Sequence, residues 1–324
     1  MTFDYTPYIP PAHVGPGPRR NFTGYGRNGL KMHWPNDQKV ALALVVNYET
    51  GAENSWANGD RRNDRIFEFP YHLDAQYRDL ATEAVSEYGG RSGVWRIQRM
   101  LDALGVKCTF SSCALALYRN PEVGAYIREA GHEGSSHGFR WEEVWKMSRT
   151  EEAARIRAAI EIIRETCGER PIGWQNRHSG SVNTRELLVE EGGFLYDCDS
   201  TADDVPFYVD VQGKDHLVLP YSSTYNDHRF IIGQGYSKPQ DFFDYCREGI
   251  DYLRMEGETR PKMMTIGIHA HWMGQAARCA ALHRFLEYCL ECGDVWITRR
   301  RDIAEWFDAN YALFAAATKD DVAA

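Results

Sequence analysis

Short apolar runs alternate with segments of helical periodicity along this chain from residue 39 onward. Runs rich in β-branched residues predict strands at 40–47, 107–113, 172–175, 195–198, 216–220, 263–269 and 295–297, with a weaker candidate at 132–137. Between them, apolar residues recur at three-and-four spacing, as in 94–104. Strands that alternate with helices are typical of parallel sheets with right-handed crossovers. We therefore predict an α/β fold, as a single barrel-like domain in preference to an open sheet.

Charge and hydropathy exclude several classes of partner. The 324 residues include 46 acidic and 37 basic side chains, which gives a formal net charge of -9. Because nucleic-acid binding needs a basic face, this balance argues against a nucleic-acid partner. No stretch reaches the roughly 18 apolar residues of a membrane span, and the first residues lack the basic and apolar regions of a secretion signal. We expect a cytoplasmic protein with no membrane partner.

The first 36 residues differ in composition from the rest. Six of the thirteen prolines precede residue 36, together with several glycines, so regular secondary structure is not expected there. The segment is also rich in tyrosine and phenylalanine. We predict an irregular arm at 1–36 that packs on a surface or on a neighbouring subunit, which favours a homo-oligomer. The barrel is predicted over 37–310, and a C-terminal tail over 311–324.

Polar side chains follow the predicted strands at the end where barrel enzymes place their chemistry. Glu49 leaves the first strand, shortly after Asn47, and His137 ends the weaker strand. His132 and His137 are five residues apart, so on a strand they point to opposite faces and cannot share a metal. A surface role for Glu49 and a buried structural role for His137 are the alternatives.

Arginine and aspartate side chains lie at two further strand ends. Arg177 and His178 follow the strand at 172–175, and Asp199 leaves the strand at 195–198. Such a pair at a barrel mouth can be a structural ion pair or part of a catalytic site, and both interpretations stay open.

The strand at 263–269 delivers two histidines, His269 and His271, to one face. A His-x-His pair at a strand end can bind a divalent metal. Two ligands do not complete a site, and a third would have to come from His137 or Glu49.

In this order, the motifs resemble the polysaccharide deacetylase (NodB-homology) superfamily, and within it the branch of metal-independent allantoinases and cyclic imide hydrolases. The resemblance rests on residues 47–49, 51–55, 93–96, 131–133, 136–141, 183–185, 190–197, 203–204, 266–269 and 296–300. It implies a distorted or incomplete (β/α) barrel of the NodB type.

The resemblance also implies that the usual metal site of the superfamily is absent. Metal-dependent members have Thr-Phe-Asp-Asp-Gly at the first strand, and this chain has Asn-Tyr-Glu-Thr-Gly, with Glu49 at the base position and Thr50 at a ligand position. They also have a His-x-x-x-His motif, and here its positions are His137 and Trp141. We therefore expect no metal and no cofactor.

By the same resemblance, Glu49 is the base that activates water and His269 is the acid toward the leaving nitrogen. Arg177 orients the base, with Asp199 as a possible partner, and His137 orients substrate or water. Trp141 forms a wall of the substrate pocket. Substrate contacts are further expected from the remaining polar and aromatic residues at the strand ends, namely Asn47, Trp174, His178, Asp199 and His271.

The expected activity is hydrolysis of a carbon–nitrogen bond in a small cyclic ureide or imide by acid–base catalysis. A ring nitrogen flanked by a second carbonyl is a better leaving group than that of an ordinary acetamide, which needs a metal. Allantoin, hydantoins and cyclic imides stay open as substrates, because Ala270-His271 replaces the Cys-Arg that follows the late histidine in allantoinases.

Two other functions stay open. The first is a metal-dependent polysaccharide N-deacetylase, with one divalent ion such as zinc bound by an altered set of ligands, His137, His269 and His271. The second is a carbohydrate-binding module without catalytic activity.

Overall fold

The computed structural model describes residues 15, 17–65, 68–69, 73–233 and 235–323. Within these residues, one sheet contains nine strands. Their bounds are β1 Val40–Tyr48, β2 Thr109–Ser112, β3 Glu133–Ser136, β4 Gly173–Trp174, β5 Tyr196–Asp197, β6 Phe207–Val211, β7 Lys214–Val218, β8 Lys262–His269 and β9 Val295–Thr298. Every residue of β1 is buried, as expected for a parallel strand covered on both faces.

The sheet is almost entirely parallel. Its strand order is β6-β7-β5-β4-β3-β2-β1-β8, and β9 pairs with the first half of β1. Only the β6–β7 hairpin is antiparallel among the described strands. The sheet curls into an incomplete (β/α) barrel, which confirms the predicted fold class. β1 and β8 pair along their length and bring Asn47 opposite His269.

Helices cover the outside of the barrel. In the described ranges the α-helices are α1 Leu80–Tyr88, α2 Val94–Leu104, α3 Ala114–Arg119, α4 Pro121–Glu129, α5 Arg149–Cys167, α6 Thr184–Glu191, α7 Pro239–Gly257, α8 Ala276–Cys292 and α9 Arg300–Ala323. Helix α5 begins with a capping box between Ser148 and Glu151, which satisfies backbone donors of its first turn. Over the same ranges, no helix combines the length and apolar character that crossing a membrane requires.

The described part of the predicted arm packs on its own barrel. Residues 1–14 and 16 lie outside the described residues. Leu30, Met32 and Trp34 are buried in a cluster with Phe307 of α9, and Trp34 donates its indole N–H to the carbonyl of Lys262 at 2.8 Å. The predicted homo-oligomer stays a prediction.

The C-terminal residues do not form a separate tail. Helix α9 continues without interruption through 311–323, and Phe314 is buried in the same cluster as Phe307. The predicted boundary at residue 310 therefore falls inside a helix whose apolar side is part of the core.

Candidate active site

A cavity of about 810 Å³ opens at the carboxyl ends of the parallel strands. Among its lining residues are the four predicted catalytic ones, Glu49, His137, Arg177 and His269. Five of the predicted substrate-binding residues line it as well, namely Asn47, Trp141, His178, Asp199 and His271. The topology therefore brings together side chains that are up to 224 positions apart in the chain.

The Glu49 carboxylate lies between two imidazole rings. Its Oε1 is 2.9 Å from Nε2 of His137 and 3.7 Å from Nε2 of His269. Burial alone would raise the pKa of Glu49, but the charge of His269 and the hydrogen bond and charge of His137 more than offset it and hold the pKa at about 2. Oε2 receives no hydrogen bond from any described residue. Glu49 is therefore ionised at neutral pH and has an oxygen free to accept a proton.

His137 is fixed on both sides of its ring. It follows β3 and its Nδ1 donates to the backbone carbonyl of Gln175 at 3.0 Å, since a carbonyl can only accept. Its Nε2 lies 2.9 Å from Oε1 of Glu49. The ring therefore bridges the backbone of Gln175 and the Glu49 carboxylate.

His269, the last residue of β8, is held by an aspartate that the sequence analysis did not identify. Oδ1 of Asp227 accepts from the ring Nδ1 at 2.6 Å, and Oδ2 accepts from the backbone N–H of His269 at 2.8 Å. Burial lowers the pKa of His269, but Asp227 and Glu49 outweigh this effect and raise it overall. With Nδ1 bonded to Asp227, Nε2 is the ring nitrogen that faces Glu49, and the raised pKa favours the protonated form that an acid needs.

His271 differs from His269 although both line the cavity. Burial and the like charge of His269 lower the pKa of His271 to about 3, so this ring is neutral. Its ring centre is 5.6 Å from that of His269 and 4.5 Å from that of Trp272.

Arg177 forms a buried ion pair with Asp64, another residue that the sequence analysis missed. Its two terminal nitrogens lie 2.9 and 3.2 Å from the Asp64 oxygens, and its guanidinium stacks 3.6 Å from the ring centre of Trp141. The expected partner, Asp199, instead accepts from the backbone and side chain of Asn176. The expectation of an Arg177–Asp199 pair is therefore wrong, because Asp64, on a loop outside the predicted strands, pairs with Arg177 instead.

Trp174 does not line the cavity, which contradicts its predicted substrate contact. It is 1% exposed and packs edge-on against Phe194, with ring centres 5.5 Å apart. Alternate residues of a strand point to opposite faces, and the neighbouring Gln175 takes the cavity side. His132 likewise faces away from His137, as predicted, and contacts the Tyr126 hydroxyl at 2.8 Å.

The donors in the cavity do not fit the metal site of the metal-dependent members of the superfamily. Both ring nitrogens of His137 are engaged by Gln175 and Glu49. Trp141 offers no ligand atom and covers Arg177. Among the residues that the structure describes, no group of three histidine, cysteine, aspartate or glutamate side chains is arranged to hold a metal ion. The cavity thus presents acid and base groups and not the ligand set of that metal site.

A family model and a relative that matches most of the chain name the same family. Residues 86–191 match the family model for polysaccharide deacetylases. A Schizosaccharomyces pombe protein whose name assigns it to the polysaccharide deacetylases is 30% identical over 316 residues, which cover 90% of this chain and 98% of the relative.

Two solved structures are similar over nearly their whole length. PuuE allantoinase is 41% identical, with a TM-score of 0.86, and the match covers 90% of this chain and 97% of that one. A probable polysaccharide deacetylase from Pseudomonas aeruginosa PAO1 is 39% identical, with a TM-score of 0.85 over 89% of this chain and 97% of that one.

Proposed function

This chain belongs to the polysaccharide deacetylase family of hydrolases, and we propose that it opens a carbon–nitrogen bond of a small cyclic ureide or imide without a metal. One observation supports this proposal above the others: the ionised Glu49 lies between His137 and His269, and Asp227 pairs with His269 and raises its pKa. A base with a free oxygen and an acid of raised pKa therefore face the same cavity.

The reaction begins with a water molecule at Oε2 of Glu49. As its oxygen bonds to the ring carbonyl carbon, the carboxylate takes its proton and the carbonyl oxygen becomes an oxyanion. When this intermediate collapses, the carbon–nitrogen bond breaks and Nε2 of His269 gives its proton to the leaving nitrogen. A proton then returns from Glu49 to His269 through a water molecule, since Oε1 of Glu49 and Nε2 of His269 are 3.7 Å apart, and both groups are restored. The net change is the addition of one water.

The acid–base groups suit an activated amide. An ordinary acetamide has a poor electrophile and a poor leaving group, and a metal ion helps with both. A ring nitrogen between two carbonyls leaves more readily, so a base, an acid and hydrogen-bond donors for the oxyanion can suffice. The cavity contains a base and an acid, and its residues do not fit the superfamily's metal site. The similarity to PuuE allantoinase favours the same substrate class.

A substrate panel tests the proposal. Allantoin, hydantoin, dihydrouracil, succinimide, phthalimide and chitooligosaccharides would each be assayed with and without EDTA. We expect ring opening of at least one cyclic amide at a rate that EDTA leaves unchanged. Ring opening that requires a stoichiometric divalent ion would refute the metal-free mechanism. Metal-dependent release of acetate from chitooligosaccharides alone would support the N-deacetylase.

The base is tested by Glu49→Gln, which keeps the shape of the side chain and removes its charge. General base catalysis contributes roughly 10²–10⁴-fold, so turnover should fall by at least about 100-fold with the fold intact by circular dichroism. Glu53→Gln is the matched control, since Glu53 is a second carboxylate of the same loop that lines the cavity but contacts neither His137 nor His269. Equal activity of the two variants would reject Glu49 as the base.

A further inference from the structure

The hydroxyl group of Tyr221, on the loop that follows β7, stands at the end of a hydrogen-bonded chain beneath the cavity. The chain begins at Arg300, the first residue of α9, whose side chain is buried, with the residue only 1% exposed. Its NH1 donates to Oε1 of Gln175 at 2.8 Å. Because a guanidinium can only donate, Gln175 must turn its oxygen toward Arg300 and its amino group away from it.

The orientation of the Gln175 amide in turn fixes the orientation of the Asn47 amide. The amino group of Gln175 approaches Oδ1 of Asn47 at 3.5 Å. The other end of the Asn47 amide is therefore its amino group, and this group donates to the Tyr221 hydroxyl oxygen at 2.9 Å.

A second amide donates to the same hydroxyl. Oδ1 of Asn226 accepts the backbone N–H of His228 at 2.9 Å, which fixes the orientation of that amide too. Its amino group donates to the Tyr221 oxygen at 2.7 Å. A hydroxyl group has two acceptor lone pairs and one proton, so both lone pairs of Tyr221 are used and the proton must point to another acceptor.

The Tyr221 oxygen is held firmly at this place. A Cβ atom on Gly267 of β8 would lie only 2.1 Å from it, so the hydroxyl packs directly against the strand backbone two residues before His269. Tyr221 lines the cavity together with Glu49 and His269. No described residue accepts its proton, and the cavity is the space left for it.

We propose that Tyr221 donates a hydrogen bond to the carbonyl oxygen that becomes the oxyanion during ring opening. The role rests on the proposed function, because it requires a carbonyl substrate. The cavity contains the base and the acid, and a donor aimed at the developing charge is the remaining requirement of the mechanism. Burial raises the pKa of Tyr221 to about 12, although the charge of Arg300 opposes this, so the hydroxyl keeps its proton at neutral pH.

Neutron diffraction from the deuterium-exchanged wild-type protein, without ligand, tests the direction of the proton. We expect the Tyr221 deuterium to point into the cavity, with both deuterated amides of Asn47 and Asn226 pointing at its oxygen. A Tyr221 deuterium directed at either asparagine would overturn the proposal, whatever the substrate is.

Kinetics of Tyr221→Phe test the consequence. Loss of one oxyanion donor typically costs about 10²–10³-fold in kcat, so we expect a fall of that size with little change in KM. Tyr225→Phe is the control, because Tyr225 is half-buried on the same loop and does not line the cavity. A kcat of Tyr221→Phe within threefold of the control would overturn the proposal.

Failure of the proposed function would be seen separately, as wild-type protein that opens no ring in the substrate panel. The two tyrosine variants would then be compared on acetylated chitooligosaccharide, if that substrate is turned over. A kcat that Tyr221→Phe leaves unchanged would overturn the role of Tyr221 there as well. If neither substrate class is turned over, the neutron result alone decides.

Discussion

Replacing Asp227 by asparagine isolates the acid half of the mechanism. Asp227 accepts two hydrogen bonds from His269, at 2.6 Å from the ring and 2.8 Å from the backbone. Asparagine has nearly the same shape, but it carries no charge and its amino group cannot accept. The substitution therefore removes the largest of the influences that raise the pKa of His269, while Glu49 continues to raise it.

The expected loss follows from the contribution of an acid. A positioned general acid supplies roughly 10²–10⁴-fold, or about 3–5 kcal/mol of transition-state stabilisation at about 1.4 kcal/mol per tenfold. We expect kcat of Asp227→Asn to fall by at least about 100-fold at pH 8. His269 acts in its protonated form, so activity is lost as pH rises through its pKa. A lower pKa moves that alkaline loss to lower pH.

The assay is the pH dependence of kcat for ring opening, measured with wild type, Asp227→Asn and a control. Asp197→Asn is that control, because Asp197 is also fully buried and also pairs with a histidine, His216, at 3.0 Å, but neither residue lines the cavity. Both variants should unfold at lower denaturant concentration. Only Asp227→Asn should shift the alkaline limb, and an unshifted limb with near-normal kcat would refute His269 as the acid.

Two predictions concern the contribution of cavity-lining residues to the free energy of unfolding. Asp64→Asn should lower the free energy of unfolding by about 3–5 kcal/mol in urea titrations, because it leaves the buried Arg177 without its counter-charge; a change below about 1 kcal/mol would contradict this. Wild-type stability should fall as pH drops from 7.5 to 5, because the unfolded chain protonates His271 at an ordinary pKa of about 6.5 and the folded chain only near 3. The protonation of His271 on unfolding accounts for about 2 kcal/mol of this loss. The stability of His271→Gln should therefore depend less on pH, and a pH dependence identical to that of wild type would rule out this role of His271.

The strands and the fold were predictable from local pattern because their residues are buried on both faces. β1 and β8 are long apolar runs, and their observed bounds differ from the prediction by one residue. β6 was missed, since most of its residues are partly exposed and its pattern is mixed. The long extent of α9 was also missed, because its packing partner is the distant N-terminal arm.

The predicted site residues share one property: each lies in the last two residues of a strand or within five residues after it. Tyr221 also follows a strand and still escaped prediction, but the other missed residues lie elsewhere. Asp64 is on a loop and Asp227 begins a 3₁₀ helix of four residues, neither has a periodic pattern, and each binds a partner more than 40 positions away in the chain. Arg300 begins a helix, and it contacts the cavity-lining Gln175 by a hydrogen bond. Carboxylates in loops are ordinary surface residues in most chains, so no local signal separates these from the rest.

The charge distribution in the cavity differs from that of a metal site. A metal ion binds neutral imidazoles and anionic carboxylates, whereas His269 has a raised pKa and shares Glu49 with His137. In the proposed mechanism, a proton on His269 supplies positive charge beside the Glu49 carboxylate. Under the proposed function, such a site acts by moving protons, without a Lewis acid to polarise the amide. The proposal therefore requires a substrate whose own second carbonyl stabilises the leaving nitrogen.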